Sequence, residues 1–462
     1  MKPKKILLIN PVVREWAEPN CFPTGLGYIA STLRELTHHI VSVLDLNALR
    51  LDDEALVREL QRYDPDVVGL TGIITQYGEV KRIAKMCRDQ CGQGVEIICG
   101  GPLATSVPEL LLNNTEVDLC AMGEGEKTIL RLFPSTFDSM RGREGVAVKT
   151  PTGPQVFPPV TTLPEGQLDL LPFPAYDLFP MYTYIRNPIG PYNKRKWIDG
   201  KGEAVVKSMN IIGSRGCPFS CCYCFHCYMG EGYRMREPSK IISEMEFLRS
   251  KYGVDYLHFN DDAFGAFGKN LINFSRQMKL SRKESGVVEG LTWSCTGRAS
   301  LSEEAIRAVA GAGCVGLWLG LESGSPTMLR AMNKKSTVKQ YERFIALVRK
   351  YLPFEDFTFI VGTPGETDET ISESIKFCKD MGVVPSAVFF MTPYPGTPLF
   401  KDMANINLRA KYVFDTEPLF EEWVESLGEQ GRVLACNCSG ASDEKVYGWH
   451  QQFIEETGVK GI

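Results

Sequence analysis

The sequence contains no apolar run that could cross a membrane as a helix, a span that takes about 20 residues. The apolar stretch near the start, Ile6–Ile9, is far shorter than the core of a secretory signal. We therefore expect a cytoplasmic protein without a signal peptide or membrane span. The chain also lacks a basic excess, since 51 Lys and Arg stand against 56 Asp and Glu for a formal net charge of −5. This balance argues against nucleic acid as a partner.

A disulfide framework does not explain the cysteines. There are 15 of them, an odd number, and five lie between positions 217 and 227. Such clustering in a protein without a secretory signal indicates metal or redox chemistry. Others, such as Cys87, Cys99 and Cys120, stand in the apolar surroundings that are typical of buried thiols.

Hydrophobic periodicity divides the 462 residues into four parts. Residues 1–145 alternate short apolar runs with helical patterns, which predicts an α/β fold with a Rossmann-like, doubly wound parallel sheet. Residues 146–205 are rich in proline and predict a linker or strap. Residues 206–400 hold about six further strand–helix units, typical of a partial (β/α)6 barrel. Residues 401–462 predict a small helical C-terminal extension.

The most specific feature follows the first strand of the second series. It is Cys217-Pro218-Phe219-Ser220-Cys221-Cys222-Tyr223-Cys224, with the spacing C-x3-C-x2-C. Three thiolates in one loop can bind three irons of a [4Fe–4S] cluster and leave the fourth iron open. An open iron can chelate the amino and carboxylate groups of S-adenosylmethionine (SAM), whose reductive cleavage releases a 5′-deoxyadenosyl radical.

A zinc site is the alternative interpretation, with Cys222, His226 or Cys227 as a further ligand. The spacing, the aromatic residue before the last cysteine and the preceding strand favour the cluster. On that interpretation Cys222 and Cys227 are bystanders.

With this motif, residues 1–400 resemble the radical SAM superfamily, in the branch that carries an N-terminal cobalamin-binding domain. The resemblance continues through strand-end segments at Phe259–Asp262, Trp293–Arg298, Gly320–Ser325, Val361–Thr367 and Thr392–Pro398. It implies that residues 1–145 bind cobalamin and that residues 206–400 form the radical SAM barrel.

The resemblance also implies a SAM site at the strand ends of the barrel. Its residues would be Phe219, Tyr223, Asn260, Asp261, Asp262, Arg298, Glu322, Gly362 and Pro364. In that set Arg298 would take the methionine carboxylate, and Glu322 the nucleoside or the amino group. Two alternatives stay open: an Arg or Glu at a strand end can form a structural ion pair, and Asp261 and Asp262 can cap the following helix.

In the N-terminal part the resemblance includes glycine-rich strand ends, for which tight turns are the alternative explanation. It implies cobalamin contacts at Pro11, Gly25, Leu26, Thr71, Gly72, Thr75, Gly100, Gly101, Pro102, Gly123, Glu124 and Gly125. One departure concerns the Asp-x-His-x-x-Gly motif that supplies an axial histidine in other cobalamin proteins. Here Asp45 is followed by Asn47 at the histidine position, and none of the five histidines occupies that context.

The resemblance thus implies a [4Fe–4S] cluster, SAM and cobalamin as cofactors of a cobalamin-dependent radical SAM methyltransferase. Such an enzyme abstracts a substrate hydrogen with the 5′-deoxyadenosyl radical and transfers a methyl group from methylcobalamin. A radical SAM oxidative cyclase or rearrangement enzyme fits the same two domains, and an iron–sulfur or cobalamin-binding sensor is the non-enzymatic alternative. A methylthiotransferase is disfavoured, because a second group of three cysteines and a basic tail are lacking.

The expected partners are a small-molecule or peptide substrate and an external low-potential electron donor of the flavodoxin or ferredoxin type. The sequence identifies neither the substrate nor a general base. In the tail, Cys436-Asn437-Cys438 suggests a metal-ligand, redox or gating pair, or simply two thiols in a loop.

Overall fold

The computed structural model describes residues 2–133, 144–158, 162–190, 206–227, 232–403, 417–427 and 434–459. They group into two compact units. The first unit holds the chain up to Asn187 and a helix from the C-terminal part, and the second holds most of the remainder.

In the described part of the first unit, seven strands form one sheet. They are β1 (Lys5–Asn10), β2 (Ile40–Asp45), β3 (Val67–Thr71), β4 (Glu96–Gly100), β5 (Leu119–Ala121), β6 (Val146–Val148) and β7 (Gln155–Phe157). Their order is β2-β1-β3-β4-β5-β6-β7, and β1 to β5 run parallel. This arrangement confirms the Rossmann-like prediction.

The β6–β7 pair corrects one detail of the sequence analysis. These residues belong to the proline-rich segment that was predicted as linker, but they extend the sheet as an antiparallel hairpin. Each strand has three residues, too few for a period of two to stand out between Pro151, Pro154 and Pro158.

Helices alternate with the strands of the first unit. They are α1 (Thr24–Leu36), α2 (Leu46–Leu49), α3 (Asp53–Tyr63), α4 (Tyr77–Cys91), α5 (Gly101–Ser106), α6 (Pro108–Asn114), α7 (Gly125–Leu132) and α8 (Met181–Arg186).

The later part of the proline-rich segment packs on the start of α1. A Cβ atom on Gly27 would lie 2.9 Å from the Cβ of Pro174, and the amide of Ala175 donates to the Gly27 carbonyl at 3.0 Å. The Phe22 ring lies 5.0 Å from Tyr176 and 4.8 Å from Phe179, measured between centroids. The segment is therefore held by aromatic packing as a strap.

A helix near the C-terminus, α16 (Glu417–Ser426), also belongs to the first unit. Its Glu421 accepts hydrogen bonds from the Tyr77 hydroxyl at 2.6 Å and from Lys81 at 2.8 Å. Residues 434–459 belong to the second unit, so the predicted C-terminal extension contributes to both units.

The described part of the second unit contains a six-stranded, all-parallel sheet. Its strands follow chain order: β8 (Ser208–Ile211), β11 (Tyr256–Phe259), β12 (Thr292–Thr296), β13 (Cys314–Glu322), β14 (Phe354–Val361) and β15 (Ala387–Phe390). A small hairpin joins β9 (Ser214–Arg215) to β10 (Arg234–Met235). Strands in this order form the predicted partial (β/α)6 barrel.

The helices of the second unit follow these strands. They are α9 (Pro238–Tyr252), α10 (Gly268–Glu284), α11 (Glu303–Ala310), α12 (Pro326–Ala331), α13 (Val338–Tyr351), α14 (Asp368–Met381), α15 (Pro398–Met403) and α17 (Asp443–Thr457). No helix in the described ranges of either unit is long and apolar enough to cross a membrane.

The outer face of the barrel strands is an aromatic core beneath α10. Phe259 stacks on Phe264 with centroids 4.0 Å apart and meets Phe274 and Trp293 edge-on at 5.6 and 5.5 Å. All four side chains are fully buried. Because side chains alternate along a strand, the opposite face of β11 carries Tyr256 and His258.

Replacing Phe274 with alanine should destabilise the protein by about 3 to 5 kcal/mol, because the ring is fully buried among three aromatic neighbours. Urea unfolding followed by circular dichroism measures the change. Leu280→Ala is the matched control, since Leu280 lies exposed on the same helix. Equal effects of the two substitutions would contradict this description of the core.

Candidate functional site

The cysteine loop follows β8 at the carboxyl edge of the barrel. The amide of Cys224 donates to the Cys221 carbonyl at 3.2 Å, so the chain turns between these residues. Burial, together with the nearby Cys221 and Cys217 thiols, raises the pKa of the Cys224 thiol to about 12. The three thiols therefore lie close together, and bound iron would offset the unfavourable charge of their thiolates.

A single-ion zinc site needs several donor atoms that converge on one metal. Among the residues that the structure describes, no group of three or more His, Cys, Asp or Glu side chains is already arranged to hold a metal ion, and this includes the three cysteines. A cubane cluster needs each thiolate on a different iron, which a loop of three spaced cysteines provides.

Asp261 clamps the start of this loop. Its carboxylate accepts hydrogen bonds from the Gly213 amide at 3.1 Å, from the Ser214 amide, and from the Ser214 hydroxyl at 2.5 Å. Burial raises the pKa of Asp261 to about 7, against the lowering effect of these hydrogen bonds. Asp261 thus fixes the two residues that directly precede Arg215-Gly216-Cys217.

The alternative in which Asp261 and Asp262 cap the next helix is wrong. Helix α10 begins at Gly268, and the residue before it is Phe267. Burial raises the pKa values of Cys217 and Cys224, and the exposed Asp262 contributes to both shifts, so its charge lies within electrostatic reach of these two thiols.

The turn after α12 holds the loop from the other side. The Cys222 amide donates to the Met332 carbonyl at 3.0 Å, and the Asn333 side chain donates to the carbonyl and hydroxyl of Ser220 at 2.7 and 3.0 Å. Asn333 has a φ of +54°, in the left-handed region that asparagine tolerates better than most residues. Cys222 thus supports the loop through its backbone.

A buried charged network lies next to this turn. Lys334 contacts a carboxylate oxygen of Glu322 at 2.9 Å and the Tyr223 hydroxyl at 3.1 Å, and that hydroxyl donates to the same Glu322 oxygen at 3.0 Å. Glu322 has a φ of +65°, a strained conformation for a non-glycine residue that persists only where the surroundings fix it. The sequence analysis named Tyr223 and Glu322 but missed Lys334.

Arg298 joins the same group. Its guanidinium lies 3.7 Å from the centroid of the Phe219 ring and donates to the Lys334 carbonyl at 3.2 Å. Burial raises the pKa of Cys217, and Arg298 offsets part of this rise, so its positive charge lies within electrostatic reach of the cysteine loop. The structure therefore brings Phe219, Arg298 and the Glu322 network to one end of the barrel.

The remaining predicted SAM residues lie on neighbouring strand ends. Gly362 follows β14 with a φ of +91°, and its amide and that of Thr363 donate to Glu366 at 2.5 and 3.0 Å. Burial raises the pKa of Glu366 to about 7. Pro364 is half-buried in this turn, and Asn260 is exposed after β11.

These residues fit a cluster with bound SAM. The cysteine loop supplies three thiols, and the neighbouring strand ends supply a cation, a buried carboxylate and aromatic rings. A carboxylate and an amine on one ligand require charges of both signs at short range, which Arg298, Lys334 and Glu322 provide.

In the first unit, the carboxyl edge of the parallel strands carries the predicted cobalamin residues. Gln76, which the sequence analysis missed, donates to the carbonyls of Pro11 and Val12 at 3.3 and 3.0 Å and accepts from the Ile73 amide. Thr75 lies in the same short 3-10 helix. These bonds join the loops that follow β1 and β3.

Several predicted cobalamin residues have a structural explanation. Gly101 has a φ of +81°, and a Cβ there would lie 2.9 Å from the Thr71 hydroxyl. A Cβ on Gly72 would meet Val80, and one on Gly125 would meet Ile29. Gly123 has a φ of +69°, and Glu124 accepts a hydrogen bond from the Leu163 amide. Pro102 lies in the first turn of α5, and Leu26 is buried. Gly25 differs: no atom lies within 4 Å of its would-be Cβ, and the nearest atoms to that of Gly100 are 3.8 Å away.

Large apolar side chains are exposed at this edge. Trp16 is 65% exposed, and Val13, Leu49 and Ile73 are also exposed. Bonds from Arg50 to the Arg14 and Ala17 carbonyls fix the loop that carries Val13 and Trp16. Exposed apolar side chains can serve as a binding surface, and those at this edge suit a large flat ligand such as the corrin ring.

The residue at the missing histidine position is already engaged. Asn47 is buried, and its side-chain oxygen accepts from the Val13 amide at 3.0 Å. Asp45 accepts from Asn10 at 2.8 Å and from the Tyr184 hydroxyl at 2.6 Å. The segment is fixed by protein contacts rather than arranged around an axial ligand.

The cysteine pair of the tail is buried in the second unit. The Cys438 thiol donates to the Cys436 carbonyl at 3.8 Å, and its interaction with Cys436 together with burial raises its pKa well above the usual range. Asn437 fixes the loop by accepting from the Ser439 hydroxyl at 2.7 Å and donating to Asp443 at 2.9 Å. Buried thiols with raised pKa values are poor nucleophiles, which favours the interpretation as ordinary loop thiols.

Asp261→Asn should lower the iron content after reconstitution and destabilise the protein. An amide in place of the carboxylate leaves at least one donor of the 213–214 backbone unpaired, at about 1 to 3 kcal/mol for each buried unpaired group. Iron analysis and urea unfolding measure both effects. Asp380→Asn is the matched control and should retain the iron, because Asp380 lies exposed on α14, where it pairs with Lys376. Equal iron loss in both variants would contradict the clamp.

Glu322→Gln should reduce 5′-deoxyadenosine formation from SAM by about tenfold or more while the cluster content stays unchanged, because Lys334 loses its buried counter-charge. Liquid chromatography of the nucleoside product measures this. Glu342→Gln, on the exposed face of α13, serves as control. If SAM cleavage is unchanged in Glu322→Gln, Glu322 is not part of the SAM site.

Comparison with known families agrees with this geometry. Residues 11–133 match the model of the B12 binding domain, and residues 211–378 match that of the radical SAM superfamily. A radical SAM domain uses a [4Fe–4S] cluster and SAM, and a B12 binding domain uses cobalamin, so these are the cofactors of this enzyme.

Curated relatives align along most of the chain. An uncharacterized methyltransferase of Pyrococcus horikoshii is 29% identical over 87% of this chain and 83% of its own length. Cytidylyl-2-hydroxyethylphosphonate methyltransferase of Streptomyces wedmorensis is 26% identical over 90% and 84%. The anaerobic magnesium-protoporphyrin IX monomethyl ester cyclase of Rubrivivax gelatinosus is 26% identical over 83% and 66%.

Two solved structures share the fold. The radical SAM methyltransferase TsrM from Kitasatospora setae superposes with a TM-score of 0.71 at 21% identity, covering 87% of this chain and 76% of its own. The cobalamin-dependent SAM radical enzyme OxsB gives a TM-score of 0.66 at 17% identity, covering 91% and 56%. Both family models match this one chain, the B12 binding domain before the radical SAM domain. The chain therefore belongs to the radical SAM superfamily, in the branch whose members carry an N-terminal B12-binding domain.

Proposed function

We propose that this chain is a cobalamin-dependent radical SAM methyltransferase. The observation that carries the proposal is the presence, in one chain, of a clamped three-cysteine loop and of an exposed apolar edge on the B12-binding sheet. The methyltransferases among the relatives, aligned along most of their length, support it. When bound, the cofactors would supply a 5′-deoxyadenosyl radical that abstracts a substrate hydrogen and a methyl group from methylcobalamin.

The residues of the barrel would hold the cluster and SAM in place. We propose Cys217, Cys221 and Cys224 as the cluster ligands, with the loop fixed from both sides as described. Arg298 and Lys334 would bind the carboxylate of the methionine part, and Glu322 its amino group, because these buried charges match those two groups. The backbone of the turn at 362–364 would face the adenine.

In the first unit, the exposed apolar loop residues would cover the corrin ring, and Gly25 and Gly100 would let the ligand approach the backbone. The Asn47 side chain would keep its contact with Val13. An external low-potential electron donor would reduce the cluster.

The relation to the cyclase of Rubrivivax gelatinosus keeps a second candidate open, an oxidative cyclase with the same two domains. The two functions differ in stoichiometry. Methyl transfer consumes a second SAM and releases S-adenosylhomocysteine, whereas cyclisation leaves the number of methyl groups in the substrate unchanged.

The test is anaerobic reconstitution of the full chain with and without cobalamin, followed by quantification of both nucleoside products under a low-potential reductant. We expect 5′-deoxyadenosine in both samples and S-adenosylhomocysteine only with cobalamin. Cys217→Ala should abolish 5′-deoxyadenosine formation, whereas Cys227→Ala should retain it.

Two results would change the assignment. Formation of 5′-deoxyadenosine without S-adenosylhomocysteine in the cobalamin-loaded enzyme would favour the cyclase. The absence of both products from protein with a full cluster would reject both candidates.

A further inference from the structure

The inner face of the barrel carries polar side chains that the proposed cofactor sites do not use. This inner face is defined by Asn210, Tyr256, His258, Ser294 and Trp318, which lie on four adjacent strands. Parallel register places His258 level with Asn210 on one side and with Ser294 on the other. The side chains on the outer face of the same strands are aromatic and apolar, so the polar side chains of these strands lie on the inside of the barrel.

His258 is held in one orientation by its neighbours. Its Nδ1 atom lies 2.8 Å from the Ser294 hydroxyl, and that hydroxyl is in turn hydrogen-bonded to the Tyr256 hydroxyl. The Trp318 indole stacks on the imidazole, with centroids 4.1 Å apart and planes inclined by 27°. Since Nδ1 is taken by Ser294, Nε2 is the nitrogen left for a molecule inside the barrel.

The order of the hydrogen bonds follows from acidity. A phenol is a stronger acid than an alcohol, which favours donation from the Tyr256 hydroxyl to Ser294 and from the Ser294 hydroxyl to Nδ1. The ring then carries its proton on Nε2. Burial lowers the pKa of His258 to about 4, so the ring is neutral near pH 7 and offers one N–H donor.

The position of His258 suits a ligand that enters from the cluster side. His258 is the penultimate residue of β11, one position below the carboxyl edge where Asp261 and the cysteine loop lie. At the amino end of the barrel strands, residues 189 and 190 of the second unit close the interior: the Ile189 amide donates to the Ser208 hydroxyl at 3.0 Å. A Cβ on Gly190 would lie 2.5 Å from the Tyr256 hydroxyl.

We propose that His258 is a substrate-binding residue whose Nε2–H donates a hydrogen bond to an oxygen atom of the substrate, such as a carbonyl or carboxylate oxygen. Trp318 packs on the ring and, with it, forms a flat floor for the substrate. Ser294 and Tyr256 are positioning residues that fix the tautomer. The proposal rests on the proposed function, because it assumes that a substrate enters the barrel.

The proposal has its chemical basis in the free-energy cost of burying polar groups that lack hydrogen-bond partners. An imidazole and two hydroxyls in a barrel interior are destabilising relative to apolar side chains unless they are hydrogen-bonded, and the interior of a purely structural barrel is filled by branched apolar residues. The hydrogen-bonded series ends in a donor on the ring, which a bound oxygen acceptor would satisfy.

The first arm of the test uses imidazole as the probe and needs no substrate. His258→Gly leaves a space of the shape of the lost ring. If solutes reach this place, added imidazole should raise the melting temperature of His258→Gly in proportion to its concentration and leave the wild type unchanged. His258→Ala repeats the measurement should the glycine variant fail to fold. A folded variant that imidazole does not stabilise would overturn the proposal, because the floor would then be closed to ligands.

The second arm separates substrate binding from the SAM site. Reconstituted wild type, His258→Gln and His258→Phe are incubated with methyl-deuterated SAM and an ultrafiltered small-molecule extract of the native host. We expect 5′-deoxyadenosine formation without extract to stay within about twofold in all three, and labelled product to fall about tenfold in His258→Phe. His258→Gln should retain more product, because its amide still offers an N–H donor.

The outcomes separate this proposal from the proposed function. Loss of 5′-deoxyadenosine in both variants would overturn the substrate role and make His258 a support of the SAM site. A wild type that forms 5′-deoxyadenosine but no labelled product would reject methyl transfer. The imidazole experiment alone would then test whether a ligand can bind at the His258 position.

Discussion

On the proposed function, the second unit depends on one constraint: three thiolates would be held in a short loop while one iron of their cluster stays open. The chain meets it by fixing the loop at both ends. Asp261 binds the backbone at Gly213 and Ser214, and the turn at Met332–Lys334 binds the backbone at Ser220 and Cys222. The loop is therefore ordered by groups that are not metal ligands, in the way that outer contacts orient the ligands of other metal sites.

The same turn connects the cysteine loop to the charged residues that we propose bind SAM. Lys334 completes the network of Tyr223 and Glu322, and its carbonyl accepts from Arg298. A buried network of this kind is sensitive to the loss of any member, since a remaining charge would be left uncompensated. The strained backbone of Glu322 is consistent with this position, because strain is stored where the surrounding structure over-determines a conformation.

Much of this arrangement could be predicted from the sequence, because it is local. The cysteine spacing, the alternation of strands and helices, and the glycine-rich strand ends are patterns within a few residues of one another. The rest arises from tertiary packing. Lys334 lies 110 positions after Cys224 and meets Tyr223 only through the fold, the β6–β7 hairpin has strands too short to show a period, and Asp261 turned out to bind the loop rather than to cap a helix. His258 carries no motif at all, and only strand register places it beside Ser294.

The central claim is that Cys217, Cys221 and Cys224 alone hold a cluster with one iron open to SAM. Electron paramagnetic resonance of the dithionite-reduced protein, recorded with and without SAM, tests it most directly in the wild type, in Cys221→Ser and in Cys222→Ser. We expect a [4Fe–4S] signal that SAM shifts in the wild type and in Cys222→Ser, and no such signal in Cys221→Ser. A signal that SAM leaves unchanged, or one that disappears in Cys222→Ser, would contradict it.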